Sequence, residues 1–175
     1  MDRITGAIAL LWLLGGCTSP GGRLIDNTTW SPLDPADDPL PSHRPDGAHC
    51  DDGSWYEEGG NLEVLTDTCS YLELSQPLLL DVHERDTIRI EGFHEALYAN
   101  PPAQAHMALI VGDTVLWEYF ADIPSDADVF TTTVDPPRAM KAGEPIIVHL
   151  HNHGANTWDL VSVDVTRPGE PEPAP

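Results

Sequence analysis

A succession of short apolar runs constrains the fold more than anything else in this chain. They are LEVL from Leu62, SYLELS from Ser70, LLLDV from Leu78, TIRIEGF from Thr87, HMALIV from His106, TVLWEYF from Thr114, DVFTTTV from Asp128, PIIVHLHN from Pro145 and TWDLVSVDV from Thr157. Glycine, proline, asparagine and aspartate punctuate them at the spacing of strands joined by turns, and no stretch of helical length carries apolar residues at three-and-four spacing. The pattern predicts an all-β, antiparallel, jelly-roll-like sandwich in one domain over residues 50–166. Gly112-Asp113 is a two-residue hairpin signal, and GFHEALYANPP has room for one short turn of helix before Pro101.

The two ends read differently. Arg3 precedes an apolar run from Ala7 to Leu14, which is too short to span a bilayer and has the order of a targeting segment. Its end, Leu14-Gly15-Gly16-Cys17, resembles the lipobox of bacterial lipoproteins. The resemblance implies that residues 1–16 are a signal peptide, that Cys17 becomes the lipidated N-terminus, and that the protein is held in the cell envelope. Thr18 and Ser19 lack the aspartate of the inner-membrane retention rule, which favours the outer membrane. With Cys17 given to lipid, Cys50 and Cys69 remain as a pair in an oxidising compartment, and a disulfide between them is expected. Residues 17–49 carry prolines at 20, 32, 35, 39, 41 and 45 without sustained periodicity and read as a disordered tether; residues 167–175 read as a disordered tail.

Charge excludes some partners. The chain has 29 acidic and 8 basic residues, and loss of Asp2 and Arg3 with the signal peptide leaves the net charge at −21. Such a chain repels nucleic acid and anionic lipid, while cations and cationic partners remain open to it. Its membrane contact is expected through the lipid alone.

Candidate chemistry gathers in HLHNHGANTW, from His149 to Trp158. Alternation in PIIVHLHN puts Ile146, Val148 and Leu150 on one face and His149, His151 and His153 on the other. The next run, TWDLVSVDV, is expected to return as the second arm of a hairpin, which puts His151 across from Trp158 and His149 across from Leu160. That face would carry His149, His151, Asn152, His153, Asn156 and Trp158 and could bind a carbohydrate or small ligand by stacking and hydrogen bonding. A metal is the second reading. Histidines two apart on a strand start roughly 6.6 Å apart, so two can share an ion, with a third ligand drawn from His106, His94 or an acid such as Glu118. Zinc, copper, nickel or iron suits imidazole, and calcium suits the carboxylates. Gly143 to His151 resembles the first half of the cupin metal motif, but Ala155 and Asn156 stand where its glutamate should be. HLHNHG resembles the histidine strand of copper-zinc superoxide dismutases, whose later ligands have no counterpart here. The third reading is a solvent-facing strand of structural histidines.

No nucleophile elbow, phosphate loop or dinucleotide fingerprint is present, no catalytic residue is assigned, and Glu57-Glu58 reads as loop surface. The sequence thus predicts a lipid-anchored envelope protein whose sandwich is a ligand-binding or interaction module. The alternatives are a histidine metalloprotein or metalloenzyme, cupin-like or oxidoreductase, and a structural envelope component.

Overall fold

The structure is a computed structural model that describes residues 20–170. Cys17 and the apolar run before it lie outside the described residues. Two antiparallel sheets face each other. The first runs in the order β3 (Trp55–Glu58), β4 (Asn61–Leu65), β11 (Thr157–Thr166), β6 (Thr87–His94) and β9 (Asp128–Val134), and β1 (Gly22–Arg23) pairs with the far half of β11. The second runs β2 (Ser31–Pro32), β5 (Tyr71–Pro77), β10 (Pro145–His151), β7 (Ala103–Val111) and β8 (Thr114–Ile123). From β4 onward each strand crosses to the opposite sheet, except at the β7–β8 hairpin, and the resulting order is that of a jelly roll. The hairpin turns at Gly112, whose φ of 64° suits glycine.

Inward-facing side chains alternate as a pleated strand requires. Ile88 and Ile90 of β6, Met107 and Leu109 of β7, and Ile146, Val148 and Leu150 of β10 fill the space between the sheets. Cys50 and Cys69 form the expected disulfide at a sequence separation of 19, closing a loop whose crosslink is worth about 3 kcal/mol in the chain-entropy account.

Several expectations are corrected. LLLDV is no strand; Leu78 turns into the core and Val82 bridges to Met140. GFHEALYANPP forms no helix; its Leu97 and Tyr98 bridge to Ser125 and Ala155. Glu57 and Glu58 lie on the edge strand β3, not in a loop. The chain after position 166 stays folded through Arg167, which is buried and ion-paired with Asp86; 171–175 lie outside the described residues.

The largest correction concerns the segment expected to be a tether. From residue 20 it is part of the domain. Leu24 and Ile25 are fully buried, and Trp30 is buried and donates its indole N–H to Asn27 at 3.0 Å. Asn27 donates in turn to Leu160 O at 3.0 Å and Val161 O at 3.1 Å, satisfying the carbonyls of a bulge in β11. Residues 33–48 then form a strap across the outer face of the second sheet. Leu33 and Leu40 sit on Ala108, Ile110 and Ile147, and two short 3-10 turns, Pro35–Asp37 and Pro41–His43, absorb the prolines. Proline at the first positions of a helical turn costs no hydrogen bond, so a proline-rich run can still be ordered when something apolar lies beneath it.

Candidate metal centre

The strands β10 and β11 do not form a hairpin, because they belong to opposite sheets: β10 pairs with β5 and β7, and β11 with β4 and β6. Residues between them turn a corner of the sandwich. Gly154 packs so closely there that a Cβ would lie 2.4 Å from Tyr98 O. The bulge between Leu160 and Ser162 shifts the phase of β11, so that Trp158, Leu160, Val163 and Val165 all face the core. Trp158 is 0 % exposed and packs on His94 with ring centroids 4.6 Å apart. It therefore offers no surface for stacking on a ligand.

The two asparagines expected to meet a ligand serve the corner instead. Asn152 is buried and donates to Gly154 O at 2.5 Å; Asn156 donates to Ala96 O at 3.2 Å and accepts from Thr157 N–H at 2.9 Å. His94 lies on β6 in the first sheet, its Nδ1 2.9 Å from Glu95 O, and is not joined to the histidines of β10.

His149 and His151 do face outward on β10, as strand alternation predicts, but the face is covered. Three segments bring three imidazoles together there. His149 comes from β10, His106 from the neighbouring strand β7, and His43 from the second 3-10 turn of the strap. One ring nitrogen of each lies within 4.8 Å of the others, and among the described residues no other His, Cys, Asp or Glu set of three does so. His43 Nδ1 and His106 Nδ1 are 3.2 Å apart. A tetrahedral ion bound at zinc–nitrogen distance separates its ligand nitrogens by about 3.3 Å, so this pair already has the required bite.

Acidic side chains lie beside the other nitrogens of two of these rings. Glu73, directly across from His149 in the β5–β10 register, places Oε1 2.6 Å from His149 Nδ1. Glu118 of β8 places Oε2 3.3 Å from His106 Nε2. In the tautomer that donates from Nδ1 to Glu73, His149 leaves Nε2 for a ligand. That atom is buried and has no hydrogen-bond partner among the described residues. An orphaned buried polar atom costs roughly 1–3 kcal/mol, which an ion at the cluster would offset.

The surrounding charges follow from burial. Burial pushes Glu73 up to about 8, and the charge of Asp38 adds to it. Burial drives His149 down to about 4, with His43 next in effect, and drives His106 to about 4 with help from His149 and His43. At neutral pH both rings are thus uncharged, the form in which imidazole binds a metal. Behind Glu73, Tyr71 donates to Asp38 at 2.7 Å, and burial with that bond raises the Tyr71 hydroxyl well above its usual range. Burial would push Asp38 up, but hydrogen bonds from Tyr71, the Leu40 N–H and Arg44 outweigh it and keep Asp38 low. Arg44 lies 4.4 Å over the Tyr71 ring. Asp38, Leu40 and Arg44 all belong to the strap, so these bonds also fix His43 in place.

Of the four histidines expected to bind metal, His149 and His106 belong to the cluster. His151 lies beside it on β10 without joining the set of three, and His94 is elsewhere. His153 is exposed and packs on His151 with centroids 4.2 Å apart. His43, Glu73 and Tyr71 were not foreseen. Alternation in SYLELS does put Tyr71 and Glu73 on one face, but the sequence gives no sign that β5 neighbours β10.

No protein-family model matches the chain, and no curated protein matches its sequence. Solved structures similar to it include one described as CBM4 structure and function, 16% identical with a TM-score of 0.46 over 81% of this chain and 88% of that one. The K3 cleaved adhesin domain of Lys-gingipain from Porphyromonas gingivalis is 11% identical with a TM-score of 0.45, over 83% of this chain and 97% of that one. A family 11 carbohydrate-binding module from Clostridium thermocellum is 11% identical with a TM-score of 0.40, over 86% and 98%. At these values no residue role or ligand is carried across, and the site stands on its own geometry.

Proposed function

We propose that this protein is an envelope-anchored β-sandwich that holds a divalent transition metal through His43, His106 and His149. The observation that carries the reading is the convergence of three ring nitrogens from three separate segments within 4.8 Å, and His149 Nε2 is buried and unpartnered among the described residues. A donor set of imidazoles suits zinc, copper or nickel, and the carboxylates behind His149 and His106 are the outer partners that orient metal-binding histidines. The lipobox-like end at Cys17 supports an anchor in the envelope, and the strap supports a site on the sheet face. Stacking on a carbohydrate loses its main support with the burial of Trp158.

The test is metal binding by tag-free protein, measured by dialysis against zinc or copper followed by elemental analysis. About one equivalent is expected for the wild type and none above background for His43→Ala. That substitution lies on the strap, outside the sandwich core, so circular dichroism and the melting curve should stay unchanged. Equal metal content in the two proteins, or none in either, would overturn the reading.

A further inference from the structure

Two of the three histidines border open space, and the third does not. His149 is fully buried in the sheet face. Above it, His43 and His106 also line a cavity of about 450 Å³, together with Ser42, Gln104, Phe120, His151 and His153. That volume falls in the range of small-molecule sites. Its walls are of two kinds. Phe120, 49% exposed, stacks flat on His106 with centroids 4.3 Å apart and an interplanar angle of 5°, giving an apolar rim. His151 supplies a buried Nε2 with no hydrogen-bond partner among the described residues.

From this arrangement, and resting on the metal-binding reading above, we infer that the bound metal keeps a coordination position open to the cavity and accepts a small exogenous anion there. The anion binds the metal through one oxygen or nitrogen atom and takes a hydrogen bond from His151. Glu73 Oε1 lies on His149 Nδ1, and Glu118 Oε2 lies 3.3 Å from His106 Nε2, the ring nitrogen other than the one beside His43. Three histidines with a fourth position facing a cavity is the arrangement of an open zinc site, as opposed to a closed structural one. His151 is two residues from His149 on the same face of β10, which places it beside the ion's open side and not under it. Its other neighbours are Tyr71, with ring centroids 5.7 Å apart, and His153.

Cobalt(II) and azide test the inference with the tag-free protein. Visible absorption should appear on adding cobalt and saturate near one equivalent, and azide should then shift those bands saturably. His151→Ala should leave the azide-free cobalt spectrum as it is and weaken azide about tenfold, the scale of one hydrogen bond to a charged group. Absence of cobalt bands would overturn the metal reading itself, and this inference with it. Cobalt bands that azide does not move would overturn only the open position. A changed azide-free spectrum in His151→Ala would show His151 to be the fourth ligand, and unchanged azide affinity in that variant would remove His151 from the anion site.

Discussion

Asp159 of β11 is buried, stands opposite Glu63 of β4 in the strand register, and accepts a hydrogen bond from Asn61 at 3.3 Å. Burial first, and then the charges of Glu63, Glu95 and Glu58, push its carboxyl up to about 6 against the opposing bond from Asn61. Between the ordinary carboxylate range and pH 6 the folded protein holds a proton that the unfolded chain has lost. Folding stability therefore falls as pH rises through that window and stays lower above it, by up to about 3 kcal/mol. Asp159→Asn should remove this slope, because the amide oxygen can still accept from Asn61. Urea unfolding is expected to show the variant more stable than wild type at pH 8 and no better at pH 4; a variant weaker at pH 8 would refute the assignment. Glu73 is tested differently. Glu73→Gln keeps the shape but loses the carboxyl group behind His149, and loss of such an outer partner typically lowers metal affinity by about 10–100-fold. Competition with a chromogenic chelator measures this, and an unchanged affinity would show that Glu73 does not tune His149. At this scale the sequence was partly legible. His149 and His106 stand on strands whose alternation can be read, whereas the partnership of Glu73 with His149 depends on β5 lying beside β10, which alternation does not encode.

The strap is the element on which the site depends. Leu33 and Leu40 are its apolar contacts with the sheet, Leu33 N–H bonds Glu73 O at 3.0 Å, and the disulfide at Cys50 fixes the chain just beyond it. Leu40→Asp would place a charge against Ala108, Ile110 and Ile147, where no partner is arranged for it. The strap is expected to lift while the sandwich core remains, so proteolysis within residues 33–48 should accelerate, metal binding should fall together with it, and the melting temperature should change little. Retained metal binding with a cleavable strap would contradict the placement of His43. The same element explains a failure of sequence reasoning. Composition made residues 17–49 look unable to order, since no core lies within the segment. Its apolar residues are spaced to meet a surface supplied by β7 and β10, and a pattern with its partner elsewhere has no local signature. The hairpin expected from His149 to Trp158 failed for a related reason. An even loop and alternating strands satisfy register equally well across one sheet or around a corner, and a one-residue bulge at Val161 then reverses which side chains face the core.

For the whole molecule, the lipid anchor proposed from the lipobox-like residues before Cys17 has a direct test. Cys17→Ser should release the protein from the membrane fraction on cell fractionation and abolish incorporation of labelled fatty acid, without altering the folded domain. Continued membrane association and labelling would sink the lipid anchor. The sequence alone determined that the chain is an antiparallel β-sandwich, because alternation and turn residues are local and repeat along the chain. It also paired the two cysteines, once the first was assigned to lipid. Tertiary structure decided where the histidines lie. It put Trp158 into the core and His94 in the other sheet, and it carried His43 across the outer face to His106 and His149. Each of those outcomes depends on which strands become neighbours, and that choice is made by the packing of two sheets and a strap against one another, at sequence separations no local pattern spans.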